Sequence, residues 1–159
     1  MLHTWFECKI KYEKTMENGV DKKITEPYIV DALSFTEAEA RIIEEVTPFI
    51  SGEYTVTDIK RANYSEIMFA NEEKADRWFK CKLTFISLDE KSGSEKKTSS
   101  NVLVQAADLR DAVKKLDANM KGSMADYLIS SMAETAIMDV YPYAGAKDDK
   151  AEFKNNKRA

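Results

Sequence analysis

Trp5-Phe6-Glu7-Cys8-Lys9-Ile10 returns 73 residues later as Trp78-Phe79-Lys80-Cys81-Lys82-Leu83. The likeness runs well beyond the hexapeptide. Gly19 and Gly93 each stand 15 residues before a helix-start residue, Ser34 and Asp108. Ile29-Val30-Asp31-Ala32 is matched by Leu103-Val104-Gln105-Ala106, and Tyr54-Thr55-Val56 by Tyr127-Leu128-Ile129. A duplicated chain must solve one folding problem twice, so the repeat constrains architecture closely and chemistry hardly at all.

Both hexapeptides alternate. Phe6, Cys8, Ile10 and Tyr12 fall on one side of a strand, and Phe79, Cys81, Leu83 and Phe85 do the same in the second copy. Period two with aromatic content predicts a half-buried strand. Asn18-Gly19 and Ser92-Gly93 supply hairpin turns inside polar stretches, so each turn tips a long exposed hairpin. The return strands place Tyr28, Val30 and Ala32, or Val102, Val104 and Ala106, on one face, with Ile29 and Leu103 opposite. Ser34-Phe35-Thr36-Glu37 has the pattern of a capping box, and Phe35, Ala38, Ile42, Val46 and Phe49 follow at helical spacing. Asp108 opens the second helix, whose stripe is Leu109, Ala112, Val113 and Leu116.

A third strand region runs from Tyr54 to about Phe69 and from Tyr127 to about Tyr141, with imperfect alternation that implies a bulge or a split. The expected fold class is α+β: two tandem β-β-α-β repeats with mainly antiparallel sheets and one helix each, packed by pseudo-twofold symmetry. A helix between the second and third strands makes those two parallel, which leaves the first strand between them in order 2-1-3. The expected boundaries are 1–70 for the first repeat, 71–77 for a connector, 78–146 for the second repeat and 147–159 for a polar tail.

Of the 159 residues, 43% are apolar and 33% charged, which is ordinary for a globular protein. No apolar run is long enough to cross a bilayer, and the N-terminus lacks a signal-peptide pattern, so the expected compartment is the cytoplasm, away from membranes. A net charge of −4 removes any global electrostatic case for nucleic acid, although the 24 Lys and Arg residues leave room for a local basic surface. The tail ending in Lys154-Asn155-Asn156-Lys157-Arg158 is mildly basic.

The chemistry of catalysis is poorly represented. Cys8 and Cys81, the only two cysteines, lie on core faces and read as small hydrophobes rather than as a bridge or a metal site. Zinc needs about four ligands, and His3, at an end expected to be mobile, is the only histidine. The five glycines are solitary, so no phosphate-cradling loop is present. Acid pairs such as Glu44-Glu45 and Asp148-Asp149 fit solvated faces or the tail. The expectation is a protein without enzymatic activity, cofactor or metal.

The outer strand face is the one remaining signal. Trp5, Lys9 and Lys11, echoed by Trp78, Lys80 and Lys82, lie opposite the core residues. One reading is an aromatic platform flanked by cations, where bases stack for roughly 1–3 kcal/mol each and lysines meet phosphates. The other is that each tryptophan covers Ile29 or Leu103, or is buried between the repeats, as the rarity of exposed tryptophan favours. Lys60 and Arg61 add charge in the first copy only, because Ala133-Glu134 replaces them in the second.

Trp5 to Tyr12, Asp31 to Arg41, Asp58 to Ala62, Trp78 to Leu83 and Ala133 to Val140 resemble a bacterial family of about this length. That family also occurs in phage and mobile-element genomes and is classed as a domain of unknown function. The resemblance implies a cytoplasmic bacterial or phage origin and no particular activity or site residues. The leading expectation is a non-enzymatic binding module for nucleic acid or a nucleotide-containing ligand in phage or mobile-element biology, with single strands or nucleotides as the expected partners. Its site residues are Trp5, Lys9, Lys11, Lys60, Arg61, Trp78, Lys80 and Lys82. The alternative is a protein-interaction or assembly adaptor, with a protein partner or a homo-oligomer on the same face.

Overall fold

The computed structural model describes residues 3–123 and 126–143, so the expected tail 147–159, with Asp148-Asp149, lies outside the described residues. Chain order is β1 (Trp5–Thr15), β2 (Asp21–Asp31), α1 (Phe35–Val46), β3 (Tyr54–Ala62), β4 (Glu66–Met68), β5 (Arg77–Leu88), β6 (Glu95–Ala106), α2 (Leu109–Met120), β7 (Asp126–Glu134) and β8 (Val140–Tyr141).

The alternating segments form the strands expected of them. β1 and β2 pair antiparallel from Trp5–Asp31 to Thr15–Asp21, and β5 and β6 from Arg77–Ala106 to Leu88–Glu95. Gly19 closes the first hairpin at φ 81°, a left-handed conformation that a side chain would strain, and Gly93 repeats it at φ 69°. β3 pairs antiparallel with β1, and β7 with β5, each across a register shift that marks a bulge. The irregular third region therefore contains both a bulge and a split into two strands.

The chain forms two compact units. Of the described residues, the first unit draws on 3–62 and 136–143, the second on 63–123 and 126–135. Their sheets run β3-β1-β2-β8 and β4-β6-β5-β7. In each, the three long strands adopt the order deduced from the helical crossover, and the short fourth strand lies parallel to the second one. That fourth strand is exchanged. β4 lies at the end of the first repeat in sequence but pairs with β6, whereas β8 lies at the end of the second repeat and pairs with β2. Sequence repeat and compact unit are thus different partitions of one chain.

Each helix packs on one face of its sheet. Phe6, Cys8, Ile10 and Val30 meet Ala38, Ile42 and Val46 in the first unit, and Phe79, Cys81, Leu83 and Val104 meet Ala112 and Leu116 in the second. Burying each large side chain contributes about 1.5–3 kcal/mol. Two aromatic members of the expected stripe depart from it: Phe35 and Phe49 are exposed, the latter because α1 ends at Val46. Leu109 likewise lies exposed at the start of α2.

The helix starts match at atomic detail. The Glu37 amide donates to Ser34 Oγ at 3.1 Å, and the Leu33 amide donates to the Glu37 carboxylate at 3.4 Å. The Asp111 amide donates to Asp108 Oδ1 at 2.8 Å, while the Ala107 amide donates to Asp111 Oδ2 at 2.9 Å. The reciprocal arm of each box therefore reaches one residue before the cap. Cys8 and Cys81 are buried and unbridged. No helix among the described residues is long and apolar enough to cross a membrane.

Candidate functional site

β1 outruns β3. The paired rungs Lys11–Thr55 and Tyr12–Tyr54 are the last between them, after which β1 continues to Thr15 against β2 alone. The step leaves a groove of about 430 Å³ in the first unit. Tyr12 and Tyr54 provide aromatic walls, and Thr55 and Thr57 provide hydroxyls. Lys11 and Lys23 bring two positive charges, offset by Glu13 and Glu53. None of these four charged residues is in an ion pair with another described residue.

Both tyrosines are held in place. The Tyr12 hydroxyl donates to Glu26 Oε1 at 2.6 Å, and Tyr54 Oη lies 2.9 Å from Thr47 Oγ1. Burial, with Glu26 beside it, pushes the Tyr12 phenol up to about 12, so it stays a donor at neutral pH. Fixed rings at the groove wall have little rotamer entropy left to lose when a ligand arrives.

The second unit differs in side chains at the equivalent step. In register with Lys11–Thr55 stands Thr84–Leu128, and in register with Tyr12–Tyr54 stands Phe85–Tyr127. Ile86, paired with Asp126, follows where the first copy has Glu13. The duplicated scaffold is kept, with Lys97 and Asp126 at the places of Lys23 and Glu53, while Lys11 and Glu13 give way to Thr84 and Ile86.

The residues singled out from sequence separate into three groups. Trp5 is 5% exposed and Trp78 1%, which removes the stacking platform from both copies. Within their own units Trp5 stacks on His3 at 4.8 Å, and Trp78 meets Phe69 edge-on at 5.7 Å. Lys60 and Arg61 lie at the far end of β3: Lys60 approaches Glu7 at 3.7 Å, and Arg61 lies 5.8 Å from the centre of the Phe6 ring. Lys11 is four strand residues from Glu7, about 13 Å, so these cations do not converge with it.

Lys9 is half-buried between Pro27 and Asp58 on the neighbouring strands, and Lys80 and Lys82 are exposed on the outer face of β5. Only Lys11 of the eight lines the groove. Lys23, Glu53, Thr55 and Thr57 escaped sequence reasoning, because nothing in a polar hairpin marks where a neighbouring strand stops.

A second polar cluster closes the first unit. His3, expected at a mobile end, is held by its Nδ1 against the carboxylate of Asp31, a side chain 1% exposed. Arg41 donates to the carbonyls of Asp31, Tyr141 and Pro142, and its guanidinium lies 4.8 Å from the centre of the Tyr143 ring. The Tyr143 hydroxyl in turn donates to Glu37. His3 and Asp31 share the base–orienter relation of hydrolase triads, but no described hydroxyl or thiol is hydrogen-bonded to the His3 ring. The cluster clasps β8 and the residues after it to β2 and α1. No group of described His, Cys, Asp and Glu residues is arranged to hold a metal.

The model of the family described as a domain of unknown function, DUF4494, matches residues 4–143. The chain belongs to this family. The match takes in both repeats, all eight residues of the groove and the Arg41–Tyr143 contact, so these lie within the family domain rather than in an appendage. Neither the curated proteins nor the solved structures contain a match.

Proposed function

We propose that this chain is a non-enzymatic binding module that takes a nucleotide-containing ligand in the groove beside Lys11 and Lys23. The observation that carries this reading is the step where β1 outruns β3, with cations, hydroxyls and aromatic walls gathered in one groove that includes Lys11, a position taken by Thr84 in the second copy. Its size is within the range of small-ligand sites, about 300–1,000 Å³. Lys11 and Lys23 suit phosphate oxygens. The ring faces of Tyr12 and Tyr54 suit a base, and Glu13 and Glu53 suit sugar hydroxyls or exocyclic amines.

The offsetting carboxylates favour a ligand with hydrogen-bond donors as well as phosphate over a bare polyanion. Cytoplasmic location belongs to the same proposal, supported by two cysteines left unbridged. A bacterial, phage or mobile-element setting rests on the family resemblance alone.

Titration calorimetry with mononucleotides and short single-stranded oligonucleotides at low salt tests the proposal. Saturable binding is expected, weakening as salt rises, and the double variant Lys11→Glu/Lys23→Glu should lose at least tenfold in affinity with an unchanged circular-dichroism spectrum. Absence of saturable binding at millimolar nucleotide would falsify it.

A further inference from the structure

The outer edges of the two sheets are equivalent in topology and opposite in character. β3 forms the edge of the first sheet and carries Asp58, Lys60 and Arg61 in its interior. Charged side chains on an edge strand discourage pairing with another chain. β7 forms the matching edge of the second sheet, and from Tyr127 to Ala133 it contains no charge, proline or glycine. Among the described residues it pairs with β5 alone, and all its side chains are half-buried or exposed. Leu128, which replaces Thr55 of the first copy, is 55% exposed on the outer face. The nine-residue edge is about 30 Å long, and along it the N–H and C=O groups of alternate residues point away from β5.

We propose that the β7 edge receives an extended peptide segment of another protein as an added strand, with Leu128 contacting its apolar centre and basic residues at the segment's ends. Main-chain hydrogen bonds would supply affinity, and the side chains of β7 the selectivity. Charge specifies the occupant. Asp126 and Glu134 bracket the uncharged stretch, and Asp117 on α2 is tied to the Tyr127 hydroxyl at 3.0 Å. Arg77 offsets Glu134 at 3.3 Å, which leaves the Asp126 end the more acidic.

A second copy of this chain is a poor occupant. Antiparallel pairing of two β7 strands about their centres sets Asp126 of one against Glu134 of the other at both ends, and like charges opposite one another destabilise a ladder. The partner strand is therefore apolar or hydroxylated in its middle and basic at its ends. This surface lies in the second unit and does not depend on the nucleotide reading of the first.

Selection of random nine-residue peptides displayed on phage, using the full chain as bait, tests the inference. The expected winners alternate β-branched residues between Lys or Arg ends. A synthetic winner should protect β7 amides from hydrogen exchange, and replacing its basic ends by Glu should weaken it at least tenfold. The variant Leu128→Lys/Ser131→Lys, whose side chains alter the edge without touching the core, should lose binding while keeping its thermal midpoint and its nucleotide titration. Failure to enrich any peptide, winners that bind this variant equally, or concentration-dependent dimerisation through β7 would each overturn the proposal.

Discussion

Cys8 sits where a thiol is hardest to ionise. Burial pushes its thiol up to about 12 from 9.0, with Glu7 and Asp58 adding to the effect, and burial raises Cys81 as well. The thiolate is the reactive form, so both cysteines should resist iodoacetamide at neutral pH in the native protein and react fully in denaturant. Mass spectrometry before and after unfolding reads this directly. The same shift couples stability to alkaline pH. The native state keeps the Cys8 proton to about pH 12, whereas the unfolded chain releases it near 9. Stability from this group is therefore complete below pH 9 and declines as pH rises toward 12, at about 1.4 kcal/mol per pH unit. Urea titrations at pH 8, 9.5 and 11 should show falling midpoints, and Cys8→Ala should flatten the slope.

Arg41 belongs to the same scale. It serves three carbonyls and one ring, all on strand ends or the segment after β8. Arg41→Ala should cost about 2 kcal/mol by leaving those carbonyls short of a donor. Arg41→Lys should not restore it, because a single ammonium cannot span the fork. Trp5 and Trp78 show what a single position conceals. Alternation tells which side chains lie opposite the core, but not whether that second face meets water. Both rings satisfy the period-two pattern, and both are buried.

At the scale of the element, what was legible followed from local physics. Strand periodicity, the Gly19 and Gly93 turns and the two caps each rest on contacts within a few residues, and the structure contains all of them. Ser34→Ala and Asp108→Ala should each cost about 1 kcal/mol, read as a lower denaturation midpoint at constant m. A larger loss at Asp108 would mean that Asp111, whose carboxyl is held below the usual range by the Ala107 amide and by Lys115, depends on the same cap. The exchange of β4 and β8 was not legible. Strands of three and two residues carry no periodicity, and their partners are chosen by tertiary contact. The groove was hidden for a related reason, since it exists only where one strand ends beside another that continues.

At the scale of the whole chain, the difference between a repeat and a compact unit has a measurable consequence. The contiguous stretch 63–135 holds a complete four-stranded sheet and its helix, whereas 1–62 lacks the strand that the far end of the sequence supplies. Cutting by repeat, at 1–70 and 78–146, strips β8 from one sheet and β4 from the other and leaves the outer edge of β2 and that of β6 open. Fragment 63–135 should therefore unfold in a single cooperative transition, while fragments 1–70 and 78–146 should unfold broadly or at markedly lower denaturant. Fragment 1–62 should also be rescued in part by a synthetic peptide of residues 136–143. That peptide restores two parallel rungs, Ile29–Val140 and Val30–Tyr141, together with the carbonyls that Arg41 grips. Circular-dichroism melts with and without the peptide decide the point. An Arg41→Ala fragment that responds equally would show that β8 docks through its backbone alone, because the variant keeps both rungs and loses only the clasp.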